Sequence, residues 1–456
     1  MRNAGYNAFM LACVKPVLAV AALSVGYSAL TLHSAEISTS TWQEILGPAA
    51  GIVPKPNPNA VVWRDDFTSA LQEARSRAMP MFVTWRCIPC KQCADFDKDV
   101  LDGSPHLTPL LQGFVTVRMT DAAELDERFF PYRQFQDLDL SWWGYFLSPQ
   151  GRLYGVFGGK DHVSDATRIS EQALVNTMRR VLAHHYDPRR ASWKIDGPLP
   201  IPDAPARGPR DMDHYEAFEK ARPWMAKQTC LHCHQVGNLL HFDSMKKGTF
   251  DLEIYTQPWP LPENVGMVID RDDGLLVTAV DPDSPAAVAG FRTGDRLGVA
   301  GKRRLFGQAD FRGVLHRASY GADEIPIGWT RNGKAHFSKL VVRAGWRKAE
   351  NSWRKTVYEG IYGPHLGFFP ISGPHQGKGA MSFRPYMGSS EKQSDNPWYP
   401  TGLRPNMEIV EVDGRSDDWD SRQFLAWFRL NHEVGDKVTI KVRGGQTFSR
   451  TIPAEH

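Results

Sequence analysis

Apolar positions along the first third of the chain change their spacing in a regular order. "DFTSALQEARSRAM" (residues 66–79) places Phe67, Leu71, Ala74 and Ala78 at helical spacing. "PMFVTW" is a short buried-strand candidate, and "CIPCKQCADFDKDVL" then reads as a helix with Phe96 and Val100 facing inward. A second strand, "GFVTVRM", follows. "GYFLSPQGRLYGVFGG" reads as a hairpin-like pair turning at Ser148-Pro149-Gln150-Gly151, and "SEQALVNTMRRVLAHHY" closes the region as a helix. Strands alternating with helices in this way predict an α/β layer.

Proline-rich stretches punctuate the chain. "LGPAAGIVPKPNPNA" (46–60) and "DGPLPIPDAPARGPRD" (196–211) predict semi-extended spacers. The C-terminal half is different: short strands, turns and single helices that repeat. "TGLRPNMEIVEVDGRSDDWDSRQFLAWFRL" (401–430) parallels "AGFRTGDRLGVAGKRRLFGQADFRGVLHRA", with Gly402 and Arg404 matching Gly290 and Arg292. "GDKVTIKVRGGQ" mirrors "GWTRNGKAHFSKLVV" as closing strands. The predicted fold class is a multidomain α/β and β protein. Its expected divisions are an N-terminal signal or anchor (1–35), a linker (36–60), an α/β domain (61–187), a second linker (188–212), a short helical segment (213–262) and two β-rich domains (263–346 and 347–456).

Length and composition agree with that division. A chain of 456 residues is long enough for about three or four domains. With 42% hydrophobic and 23% charged residues, it has an ordinary globular composition. A net charge of +3 without a long basic run excludes a nucleic-acid partner from the expectations. Arg2 and Lys15 precede an apolar run from Pro16 to Leu32, followed by the small residues Ser34 and Ala35. This pattern predicts export with cleavage near Ala35; an uncleaved membrane anchor is the alternative. The rest of the chain is then expected outside the cytoplasm, in a periplasmic or similar compartment where cysteines can stay oxidised.

Two short stretches hold every cysteine except Cys13. In the first, Cys87, Cys90 and Cys93 lie three residues apart. Cys87 is expected at a helix N-terminus, where orphan amides and the helix dipole stabilise a thiolate, and Arg86 and Lys91 add positive charge. Redox catalysis is the leading reading; a structural disulfide and a soft metal site stay open. In the second, "TCLHCHQ", the order Cys230-x-x-Cys233-His234 is the haem c attachment pattern, with His234 on the iron and Met245 or His241 as sixth ligand. Zinc held by Cys230, Cys233 and one or two of His232, His234 and His241 is the alternative cofactor, and a plain disulfide is the simplest.

"CIPCK", after a strand and opening a helix, resembles the thioredoxin active site, and the resemblance covers roughly residues 61–186. It implies that Cys87 attacks a substrate disulfide, that Cys90 resolves it, and that Cys93 is an additional thiol. The family's cis-proline should fall near Trp142 in "LSWWGYF", where there is none. The segment from Val265 to Val342 resembles the bacterial PDZ pattern, and residues 360–453 resemble it a second time. That resemblance implies binding of peptide C-termini at Val265-Gly266-Met267-Val268 and at Leu366-Gly367-Phe368, by addition of a strand to a sheet edge. The absence of Gly-x-Ser-x-Gly argues against an attached serine hydrolase. The combination is similar to a bacterial family of thioredoxin–PDZ proteins, some with selenocysteine. It implies an exported thiol–disulfide oxidoreductase or redox relay acting on exported proteins with disulfides or free C-termini. A non-enzymatic sensor or scaffold is the alternative.

Overall fold

The structure, a computed structural model, describes residues 38–51, 53, 61–86, 91–160, 170–197, 200, 207–220, 231–349, 351–358, 364–373, 381–389 and 393–452. The first sheet contains β1 (Trp63–Arg64), β2 (Met81–Trp85), β3 (Val115–Met119), β4 (Ser141–Leu147) and β5 (Leu153–Lys160), in the order β1-β3-β2-β4-β5. β3 runs parallel to β1 and β2; β4 and β5 are antiparallel. Around it lie α1 (Thr39–Leu46), α2 (Phe67–Arg77), α3 (Lys91–Phe96), α4 (Thr108–Leu111), α5 (Tyr132–Phe135), α6 (Glu171–His185) and α7 (Arg190–Trp193).

All five residues of β2 are buried, as a central strand covered on both faces requires. Alternation assigns them to sides: Met81, Val83 and Trp85 join one core with Ala70, Leu71 and Ala74 of α2. Phe82 joins the other core with Cys93, Phe96 and the α6 residues Leu174, Met178 and Val181. Two of the helices are capped at their N-termini. Asp66 accepts from the amides of Thr68 and Ser69, and Ser170 from that of Ala173.

The expected helix over 87–101 appears differently. α3 is ordinary α-helix, but Asp97–Leu101 widens to a π-helix, a local form that often accompanies function. Part of the stretch read as a spacer is also helical. α1 packs on the first β-rich unit, and its Glu44 accepts from the indole of Trp193 at 2.8 Å.

Beyond the first sheet come α8 (Tyr215–Lys220), α9 (Cys233–Lys246) and α10 (Leu252–Thr256). Val236, Leu239 and Phe242 of α9 complete the core on the α2 face of the first sheet. The first β-rich unit contains β6 (Met267–Ile269), β7 (Val277–Val280), α11 (Pro285–Ala289), β8 (Arg296–Ala300), β9 (Arg303–Arg304), α12 (Gln308–Arg317), β10 (Asp323–Arg331) and β11 (Lys334–Val342). After α13 (Lys355–Tyr358), the second contains β12 (Phe369–Ser372), β13 (Phe383–Tyr386), β14 (Ile409–Val412), α14 (Ser421–Asn431), β15 (Lys437–Val442) and β16 (Thr447–Thr451). Each unit has its own apolar core, and each ends in a helix followed by an antiparallel hairpin. Among the described residues no helix is long and apolar enough to cross a membrane.

Candidate functional site

Cys87 and Cys90 lie outside the described residues; Arg86 before them and α3 after them are described. β2 delivers the chain to Arg86, whose amide donates to Met119 O at 3.1 Å. The Arg86 and Arg118 guanidiniums approach Asp97 Oδ2 at 2.7 and 3.3 Å, and the Trp142 indole donates to Asp97 Oδ1 at 3.0 Å. Asp97 is 4% exposed. Burial raises its pKa, and the two guanidiniums, which pull the other way, do not cancel that shift. One helical turn before Asp97, Cys93 is 1% exposed, enclosed in the α6-side core.

Trp142 stands where the thioredoxin resemblance leads one to look for a cis-proline. Among the described residues no peptide bond is cis, and Trp142 instead adopts φ +59°, a costly backbone for a bulky side chain. Its ring centroid lies 4.5 Å from that of Phe96. Together, Trp142 and the partly buried Arg86–Asp97–Arg118 cluster gather polar groups at the C-terminal end of α3. Neither Asp97 nor Arg118 was expected at the site.

The second cysteine stretch begins outside the described residues, where Cys230 lies, and they resume at Leu231. Leu231 is fixed to the loop after β3: its amide donates to Asp121 Oδ1 at 2.9 Å, and its carbonyl accepts from Ala122 N at 3.2 Å. α9 then starts at Cys233, with Gln235 reaching back to the amide of His232. Cys233 is 6% exposed and belongs to the core with Tyr145, Val236 and Leu239. The rings of His232 and His234 lie 5.4 Å apart and are half-buried. His241 is buried against Tyr255, with centroids 4.1 Å apart, and Met245 is half-buried near the end of the helix. A thiol followed at once by an imidazole is the donor order a haem c needs. Among the described residues no group of three His, Cys, Asp or Glu gathers at metal-binding range. Cys93 and Cys233 line opposite faces of one sheet, so the structure does not bring their two stretches together.

The two loops expected to take peptide carboxylates are built differently. In the first, Val265 and Met267 are fully buried. Gly266 (φ +76°) donates its amide to Glu263 O at 3.0 Å, while its carbonyl accepts from Asp281 N at 2.8 Å. Any Cβ there would lie 2.1 Å from Ser284 Cβ. In the second, the carbonyls of Leu366 and Gly367 are taken by Trp398 Nε1 and Asn396 Nδ2. The amides of Leu366, Gly367 and Phe368 have no hydrogen-bond partner among the described residues. This loop closes one end of a groove of about 440 Å³ between β12 and α14.

A further group of residues, missed in the sequence, holds the first β-rich unit in place. Arg312 of α12 and Arg354 meet Asp137 at 2.6 and 2.9 Å, and Arg354 also meets Asp139 at 3.0 Å. All four side chains are at most 5% exposed, and both arginines also donate to Trp259 O. Burial would raise the pKa of Asp137, but the two guanidiniums outweigh it and hold the carboxyl low. Nearby, Asp310 Oδ1 accepts from Val156 N of β5 at 2.9 Å, and Oδ2 accepts from the amides of Phe306 and Gly307. Arg303 and Arg317 lie over the ring of Phe135.

A family model described as thioredoxin-like matches residues 62–138. The match ends just before β4, so β4 and β5 complete the sheet beyond it and α6 packs on it. A search of curated proteins finds no match to the chain. The chain thus carries a thioredoxin-like domain, joined to β-rich units outside the matched span.

Proposed function

We propose that the protein is an exported thiol–disulfide redox protein that docks its polypeptide substrate through its second β-rich unit. The observation that carries this reading is the placement of the cysteine stretch. It joins a buried central strand of a thioredoxin-like sheet to a helix that ends at the Arg86–Asp97–Arg118 cluster. In the proposed step the Cys87 thiolate attacks a substrate disulfide and forms a mixed disulfide, expelling one substrate thiolate. Cys90 then attacks Cys87 Sγ and frees the second. The substrate gains two electrons, and the protein ends with a Cys87–Cys90 disulfide that a dithiol reductant resets. The burial of Cys93 limits it to exchange within the chain.

The second unit is proposed as a PDZ-like module, because among the described residues its loop amides are unengaged and β12 pairs with β13 alone, an arrangement that suits a terminal carboxylate on an added strand. The first unit, PDZ-like in sequence, is proposed as a spacer fixed to the thioredoxin-like domain. For "CLHCH" the proposal is covalent haem c on Cys230 and Cys233, with His234 on the iron, giving one-electron chemistry. It rests on the donor set, and the core position of Cys233 means that packing around Tyr145 and Leu239 must open to admit the macrocycle. A Soret band lost in Cys230→Ala/Cys233→Ala would support haem; zinc in its place, found by elemental analysis, would replace it.

Reduction of insulin by the protein without its N-terminal apolar run, compared with Cys87→Ser, tests the redox reading; unchanged turnover removes Cys87 from the mechanism. The second reading, a sensor or scaffold, draws on Trp142 filling the expected proline position. It predicts that Cys87 titrates near the free-thiol value of about 8.5.

A further inference from the structure

The first sheet has two ends, and the cysteine stretch occupies only one of them. β2 ends at Trp85, which pairs with Trp143 near the start of β4, whereas Met81 pairs with Leu147 at the end of β4. The turn after Leu147 therefore lies at the opposite end of the sheet from Arg86. A pocket of about 510 Å³ opens there, between the β4–β5 turn and the segment after α7. Gln150, Arg152, Arg190, Ala191, Lys194 and Asp196 line it.

The charges of this lining do not balance. Arg190 Nη1 meets Asp196 Oδ2 at 2.6 Å, and His184 Nε2 meets Asp196 Oδ1 at 2.7 Å. Burial lowers the pKa of His184 from 6.5, so the imidazole is neutral at pH 7 and Asp196 cancels Arg190 alone. Arg152 donates from Nη1 to Gly197 O at 3.1 Å. Among the described residues neither Arg152 nor Lys194 has a carboxylate partner. Two uncompensated cations thus face a space whose one apolar side chain is that of Ala191.

The position of the lysine is itself unusual. Lys194 ends α7 at φ +52°, a left-handed conformation that glycine adopts at least cost. Its neighbours pin it there: Trp193 is buried with its indole on Glu44, and Asp196 is held by His184 and Arg190. Backbone strain of this kind collects at functional sites. Arg190 is also fixed in advance, since its Nε donates to His185 O at 3.2 Å and its guanidinium lies 5.4 Å from the centre of the Tyr154 ring.

We propose that this pocket binds a phosphate monoester on a polar carrier, with Arg152 and Lys194 on the phosphate oxygens and Gln150 beside them. Two unpaired cations match a dianion, and a guanidinium fork with an ammonium suits a tetrahedral oxyanion. The volume falls within the range of about 300–1,000 Å³ that holds a small organic molecule, so the carrier enters with its phosphate. The near absence of apolar lining makes that carrier polar. The site is separate from the cysteine chemistry and does not depend on it.

Isothermal titration of the full chain with glycerol 3-phosphate, and with glycerol as the uncharged control, tests this. The phosphate ester should bind saturably and more weakly as salt rises, and glycerol should not bind. Lys194→Gly removes the ammonium and relieves the backbone, so thermal stability should hold or rise while affinity falls about tenfold or more, on the scale of a charge-assisted hydrogen bond. Arg152→Gln should weaken binding similarly. Vesicles of phosphatidylcholine with and without phosphatidic acid separate the two sources of the monoester. Binding that requires phosphatidic acid and is lost in Lys194→Gly, without binding of glycerol 3-phosphate, makes the carrier a lipid headgroup. Binding of neither probe overturns the site, and so does an affinity that Lys194→Gly and Arg152→Gln leave unchanged.

Discussion

The two β-rich units share an order of strand, helix and hairpin, and among the described residues the second lines a groove between β12 and α14. In the first, α12 is turned against the thioredoxin-like sheet: Asp310 satisfies an amide of β5, Arg312 is paired with Asp137, and Arg303 and Arg317 cover Phe135. Its loop amide at Gly266 is spent on Glu263. In the second, α14 rests on α10 and α13, and among the described residues the amides of Leu366, Gly367 and Phe368 have no hydrogen-bond partner. The same plan thus serves once as mortar and once as a socket. The difference shows in a handful of charged side chains on the helix and in the sheets, which are four- and two-stranded in the first unit and a single five-stranded sheet in the second.

The largest effect should come from unmaking the mortar. Arg354→Ala leaves Asp137 and Asp139 buried with one arginine fewer, and should cost about 3–5 kcal/mol in denaturant unfolding. A loss below about 1 kcal/mol would mean that the first unit is not locked. Acidification comes next. His185, 9% exposed, shares a hydrogen bond with Tyr154 OH through Nδ1 and with Ala78 O through Nε2. Burial lowers its pKa from 6.5 to about 4. A lowered histidine is neutral in the folded protein while the unfolded chain takes the proton, so its stabilisation is complete above pH 6.5 and is lost as pH falls toward 4. The loss should be about 3 kcal/mol over that window, and His185→Gln should flatten this part of the stability–pH curve.

Asp310→Ala strands three amides and should cost about 1–3 kcal/mol, with increased exchange at Val156. The smallest effect belongs to Asp97→Asn. The amide oxygen can still accept from Trp142, so stability should fall by about 1 kcal/mol. Removing a negative charge from the C-terminal end of α3 should also move the pH onset of Cys87 alkylation downward. An unmoved onset would separate Asp97 from the thiol chemistry.

Much of the first sheet was legible because local rules and tertiary demands agree there. "PMFVTW" is apolar but for Thr84, since β2 is covered on both faces, and Asp66 and Ser170 stand where caps belong. The π-helical turn at Asp97 was not legible, because it accompanies contacts to Arg118 and Trp142, which are distant in sequence. Nor were the buried ions: "DLDL" (137–140) reads as a surface turn until Arg312 and Arg354, more than 170 positions later, supply the opposite charge. The second loop could be located from "HLGF", but its open state depends on Trp398 and Asn396 drawing the carbonyls away. Sequence similarity could not distinguish mortar from socket, since Gly266 and Gly367 occupy matching places.

Hydrogen exchange of the full chain, with and without a saturating peptide that ends in leucine with a free carboxylate, tests this contrast most directly. The account predicts new protection across residues 366–372 and α14, and unchanged, slow exchange over residues 265–269 and α12. Ligand-induced protection of residues 265–269 and α12, with none at 366–372, would contradict it.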